Sequence, residues 1–186
     1  GDVAGKGISA SLLMARLSAQ TRHCLGSRSS PAEALRRLNL AFCESGWDDR
    51  FVTFAVCVLD GRRHEATVVN AGHPPPLLRR ANGEIAPLAA DQGGLPLGVD
   101  PSAHYEQTVV PLAIGDCMVL YTDGITEALN NADEVYGRER LEAQLSAARG
   151  CPREIGEAIM DDVRRFVGDR PQSDDICLNV VGRVAC

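Results

Sequence analysis

No cysteine pair in this chain has CxxC spacing and no histidine pair sits in an HExxH pattern, so a zinc centre lacks its usual ligand sets. A GxSxG elbow is missing too, which removes the common mounting for a serine nucleophile. The phosphate-cradling pattern GxxxxGK[ST] also fails, because Gly1 and Gly5 enclose three residues and Gly7, not a hydroxyl residue, follows Lys6. No apolar run approaches the roughly 20 residues a membrane span needs, and no charged, apolar, small-residue series resembles a signal peptide. Membrane attachment would have to come from segments outside this sequence. With a net charge of −6 and a pI near 5.2, the chain is a poor match for nucleic acid or an anionic bilayer, which favour clustered Lys and Arg. Repeats, low-complexity tracts and interdomain linkers are absent as well.

What is present is the composition of one ordinary domain. At 186 residues, 45% hydrophobic and 24% charged, the chain can bury a sizeable core without staples. Its seven cysteines are odd in number and mostly flanked by apolar residues, as in Val56-Cys57-Val58, so they read as buried, reduced thiols of a cytosolic protein. Gly1-Asp2-Val3 reads as the end of a strand whose beginning lies upstream. Apolar residues at helical spacing then predict a helix over 8–25, stopped by Gly26. Ser30-Pro31-Ala32-Glu33 has the form of a capping box and predicts a second helix over 31–44. Residues 51–59 and 64–71 form a β-hairpin around Asp60-Gly61, Asn82-Gly83 marks another tight turn, and strands follow at 106–110 and 117–122. Amphipathic helices over 137–148 and 152–167 precede a closing strand at 176–181. Hairpins interrupted by helix pairs predict an α+β fold with mainly antiparallel sheets.

Three separated stretches end in an aspartate beside a turn: Gly1-Asp2-Val3, Thr122-Asp123-Gly124 and Ser173-Asp174-Asp175. Each alone is most simply a turn. As a set they change the weighing, since apolar strands flank two of them and strand ends hold carboxylates rigidly. If the fold joins them, they make an all-oxygen cage for hard divalent cations, and metal-assisted phosphate hydrolysis becomes the leading chemistry. Gly5 and Gly7 read as a sharp strand-to-helix turn, with the Val3 carbonyl a candidate metal ligand; Lys6 either approaches phosphate or sits in solvent. His73, ahead of three prolines, reads as part of a rigid turn with its ring packed or hydrogen-bonded. His23, His64 and His104 have no spacing partners.

In order along the chain, Gly1-Asp2-Val3-Ala4-Gly5-Lys6-Gly7-Ile8, Phe51-Val52-Thr53, Asn70-Ala71-Gly72-His73-Pro74-Pro75, Gly94-Leu95-Pro96-Leu97-Gly98, Tyr121-Thr122-Asp123-Gly124 and Ser173-Asp174-Asp175-Ile176 resemble the PPM metal-dependent serine/threonine phosphatases, specifically the bacterial SpoIIE/RsbU branch. The resemblance implies a single domain over 1–186, an αββα sandwich of two mainly antiparallel sheets flanked by helix pairs, with its N-terminal strand or strands missing from this sequence. It makes Asp2 the carboxylate bridging two Mn²⁺ or Mg²⁺ ions, puts the Val3 carbonyl on one ion and Asp123 and Asp174 on the other, and gives Asp175 a supporting role. A metal-bridging hydroxide would then attack phosphorus directly, with no phosphoenzyme. Ala4 stands where animal and plant relatives carry a histidine, and Cys177 where threonine is common. The implied substrate is phosphoserine or phosphothreonine on a regulatory protein such as an anti-sigma-factor antagonist. An upstream sensor domain would control the cytoplasmic enzyme, the helix pair after Asp2 would couple the signal to metal binding, and the resemblance leaves room for a homodimer. The alternative is a pseudophosphatase, a signalling module that binds its partner without turnover.

Overall fold

The structure, a computed structural model, describes residues 1–5, 7–26, 30–44 and 50–184, with Ser9 by its backbone alone. Lys6, Cys186 and the link at 27–29 lie outside the described residues. The fold is the expected α+β: two four-stranded antiparallel sheets, each with helices packed on it. The chain divides into two compact units, Gly1–Pro75 with Ala89–Pro111, and Pro76–Leu88 with Leu112–Cys186. Among the described residues no helix is long and apolar enough to cross a membrane.

The first unit holds β1 (Asp2–Val3), α1 (Ile8–Leu25), α2 (Pro31–Cys43), β2 (Val52–Asp60), β3 (Glu65–Ala71) and β6 (Gln107–Pro111), its sheet running β1-β2-β3-β6. Gly5 and Gly7 take φ of 96° and 93°, a left-handed backbone that turns the chain from β1 into α1 as expected. Leu13 and Leu17, four residues apart, are buried against Leu35, Leu38 and Phe42 of α2 and Val52 of β2. Each such leucine contributes about 1.5–3 kcal/mol of hydrophobic stabilisation. Ser30 caps α2 by accepting the Glu33 N–H at 3.3 Å with Pro31 in the first turn. The Glu33 carboxylate pairs with Arg36 and Arg37 at 2.9 and 3.0 Å, and Arg36 pulls its pKa down to about 2. In the β2–β3 hairpin, Asp60 Oδ1 accepts the N–H groups of Arg62 and Arg63 at 2.8 and 3.0 Å and closes the turn.

The second unit holds β4 (Leu77–Arg79), β5 (Ile85–Pro87), β7 (Cys117–Tyr121), the short α3 (Asp123–Thr126), α4 (Arg138–Ala147), α5 (Pro152–Val167) and β8 (Leu178–Gly182), with sheet order β5-β4-β7-β8. Val119 of β7 is fully buried with Leu141, Leu145, Ile155 and Ile159 of the helices. The Asn82-Gly83 turn joins β4 to β5, with Gly83 at φ 91° and its N–H bonded to the Arg80 carbonyl at 2.9 Å. A buried carboxylate fastens this hairpin to the turn before β7: Asp116 accepts from Arg80 Nη1 at 2.8 Å and from the N–H groups of Ala81 and Ala113, both at 2.9 Å.

Three expectations need correction. The last strand begins at Leu178, not 176, because Asp175 and Cys177 spend main-chain groups on Thr122 instead of on the ladder. Asp123 and Gly124 open a helical turn and are not a simple bend. The six described cysteines are all free, as expected, but only Cys117 is buried; Cys151 and Cys177 are exposed, one capping α5 and the other in the segment that approaches β8. Cys151 with Glu154 also forms a capping box that sequence reading left unnamed, Glu154 Oε2 accepting the Cys151 N–H at 2.7 Å.

Candidate functional site

Asp123 and Asp174 belong to one end of one sheet. Strand β7 runs to Tyr121, which pairs with Leu178 at the start of β8, and the chain leaves both strands at this end. Thr122 ties the two exits together. Its N–H donates to the Cys177 carbonyl at 3.1 Å, its hydroxyl donates to the Asp175 carbonyl at 2.9 Å, and the same oxygen accepts the Cys177 N–H at 2.9 Å. Gly124 closes the contact, since a Cβ there would run into the Asp175 carbonyl oxygen. Asp174 is held in turn by its own loop: Oδ1 accepts the Asp175 N–H at 2.9 Å and its carbonyl accepts from Gln172 at 2.6 Å. Asp123 and Asp174 are half-buried, whereas Asp175 is exposed and acts here through its carbonyl.

A cavity of about 400 Å³ in the same unit is lined in part by Gly124, Ser173, Ile176, Val163, Arg164 and Arg170. Arg170 is positioned by Asp133 and the Asn130 carbonyl, at 2.6 and 2.7 Å.

Asp2 and Val3 belong to the other unit, as edge strand β1, with Asp2 opposite Thr53 and Val3 opposite Val52. Val52 directs its N–H and C=O to Leu97 at 2.9 and 2.8 Å, while Ala4 bonds to Phe51 across β1 and β2 at 3.0 Å. In an antiparallel ladder that alternation turns the Val3 peptide groups away from β2, to the open edge. The Val3 side chain is buried, so a buried anchor carries a main-chain oxygen facing outward. Arg50 donates to the Ala4 carbonyl at 3.2 Å, and a Cβ on Gly5 would meet that guanidinium at 2.7 Å.

Behind β1 lies the histidine that the sequence read as a rigid turn. His73 is 6% exposed, its N–H bonds to Asn70 Oδ1 at 2.8 Å, Asn70 Nδ2 donates to its carbonyl at 2.8 Å, and its Nδ1 is 2.9 Å from Thr53 Oγ1. Sequence reasoning placed His73 correctly and missed both Thr53 and Thr122, whose hydroxyls bond to groups no short spacing connects.

Among the described residues, no three His, Cys, Asp or Glu side chains gather into a group that would hold a metal ion. The donor chemistry of the predicted set is nevertheless uniform: three carboxylates and one main-chain carbonyl, all hard oxygen, which suits Mg²⁺ or Mn²⁺ and not zinc.

The sequence profile of Stage II sporulation protein E (SpoIIE) matches residues 1–184. Phosphoserine phosphatase RsbU of Bacillus subtilis (strain 168) is 30% identical over 127 residues, 68% of this chain and 37% of that protein. Protein IcfG of Synechocystis is 28% identical over 133 residues, 72% of this chain and 21% of its own. The chain thus spans well under half the length of either curated relative. In structure it is similar to the SiaA-PP2C domain of Pseudomonas aeruginosa, with a TM-score of 0.83 at 23% identity over 98% of this chain and 73% of that one. The PP2C phosphatase domain of SpoIIE from Bacillus subtilis, solved with a fragment of its regulatory domain, gives 0.77 at 20% identity over 95% of this chain and 51% of that one. With two antiparallel sheets carrying the Asp2, Asp123 and Asp174 motifs in order and a profile match over nearly its whole length, the chain belongs to the SpoIIE family, the SpoIIE/RsbU branch of the PPM phosphatases.

Proposed function

We propose that this chain is a metal-dependent protein phosphatase domain that hydrolyses phosphoserine or phosphothreonine on a regulatory protein. Residues 1–186 act as one catalytic domain, with Asp2 as the bridging carboxylate and the Val3 carbonyl, Asp123 and Asp174 completing the ligand set for two Mn²⁺ or Mg²⁺ ions. The observation that carries the reading is the fastening of the Asp123 and Asp174 loops by Thr122 and Gly124 at one sheet end, in a chain whose family is that of phosphatases. When bound, such ions neutralise phosphoryl charge and lower the pKa of water. The protein's share is to hold the carboxylates at rigid strand ends and to keep the Val3 carbonyl outward. The cavity beside Gly124 and Ser173 suits the residues flanking the phosphorylated side chain. The family resemblance supports a phosphorylated anti-sigma-factor antagonist as the substrate and an upstream sensor domain as the regulator of a cytoplasmic enzyme.

The test is phosphopeptide hydrolysis with Mn²⁺ and with chelator. Turnover is expected with metal, lost on chelation, and reduced at least about 100-fold in Asp174→Asn, the loss typical of an essential electrostatic group. Metal binding without turnover in the parent chain would favour the pseudophosphatase.

A further inference from the structure

A chain of polar contacts, buried at His73 and half-buried at Thr53, leads from the interior of the first unit to the backbone of Asp2. Asn70 clasps His73 through both its N–H and its carbonyl, at 2.8 Å each, and so fixes the backbone from which the imidazole projects. Gly72 helps by its bareness: with φ 68° it tucks against Pro96, where a Cβ would come within 2.6 Å of Cγ. The ring then meets the Thr53 hydroxyl at 2.9 Å, and the same hydroxyl reaches the Asp2 carbonyl at 3.5 Å. A threonine hydroxyl has a single proton. It serves both contacts only if His73 donates from Nδ1–H to Thr53 Oγ1 and Thr53 donates onward to Asp2.

From this geometry we infer that Thr53 and His73 are positioning residues for the Asp2–Val3 ligand pair. The Asp2 carbonyl belongs to the peptide plane that joins the two residues, so a contact there bears on the base of the Asp2 side chain and the course of the Val3 backbone together. The inference rests on the reading of Asp2 as a metal ligand, and its test separates the two.

Mn²⁺ affinity, followed by the electron paramagnetic resonance signal of free Mn²⁺, is measured for the parent chain, Asp2→Asn, Thr53→Val and Thr53→Ser, with melting in chelator as the check on folding. Outer groups that orient metal ligands typically change affinity by about 10–100-fold. Thr53→Val is expected to weaken binding at least about tenfold and Thr53→Ser to retain it. If the valine variant melts too early to be read, His73→Asn and His73→Leu replace it: the asparagine keeps a donor near the Nδ1 position and retains affinity, and the leucine loses it. Parent-like affinity in Thr53→Val or His73→Leu, with Asp2→Asn impaired, overturns the positioning role alone. Parent-like affinity in Asp2→Asn overturns the ligand assignment itself.

Discussion

Gly124 shows how a residue beside a proposed metal ligand can be fixed by packing alone. It does not adopt a positive φ, so its role is not a left-handed turn; it is bare because the Asp175 carbonyl occupies the space a Cβ would need. That neighbour is backbone and cannot swing aside as a flexible side chain would. Gly124→Ala should therefore push the 173–175 segment away and destabilise the fold by about 1–3 kcal/mol, as overpacking does. Urea unfolding measures this, and an unchanged midpoint would contradict the contact. The sequence exposed Asp123 and Asp174 through their turn motifs, but not Thr122, which fastens them. Its partners lie 53 and 55 residues away, and a lone threonine at a strand end carries no local sign of a long-range bond.

At the scale of elements, α4 and α5 are joined by a buried carboxylate. Asp162 is 5% exposed; Arg140 grips its two oxygens at 2.9 and 3.1 Å, and the Tyr136 hydroxyl donates at 3.0 Å. The Arg140 guanidinium also lies over the rings of Tyr136 and Phe166, at 5.2 and 4.7 Å. Arg140 holds the Asp162 carboxyl below its ordinary range, against the opposing pull of burial. A carboxyl whose pKa is lower folded than unfolded stabilises the protein above its unfolded value, about 3.9, and loses that contribution as pH falls through the folded one. Asp162→Asn should cost about 1–3 kcal/mol at neutral pH and flatten the fall in stability below about pH 4. Parallel stability curves for the two proteins would show that Asp162 does not carry this dependence. Apolar periodicity made α1 and α5 legible, the capping box marked α2, and the β2–β3 hairpin was plain from its β-branched run. It could not reveal β4 and β5, because three-residue strands are too short to display a period of two, although Asn82-Gly83 betrayed the turn between them. The start of β8 was misplaced for a related reason: Ile176 has the residue type of a strand, but its neighbours' main-chain bonds go to Thr122.

At the scale of the whole molecule, the order of motifs was legible and the division into two units was not. Each unit is discontinuous in sequence, with the chain passing between them after Pro75, Leu88 and Pro111, and no linker composition marks the crossings. The central proposal is that Asp2, the Val3 carbonyl, Asp123 and Asp174 are metal ligands. Calorimetric titration of Mn²⁺ into the parent chain, Asp2→Asn and Asp123→Asn tests this most directly. The account predicts that the parent binds and that either substitution abolishes or severely weakens binding while leaving the melting temperature in chelator near that of the parent. Parent-like Mn²⁺ affinity in either variant would contradict it.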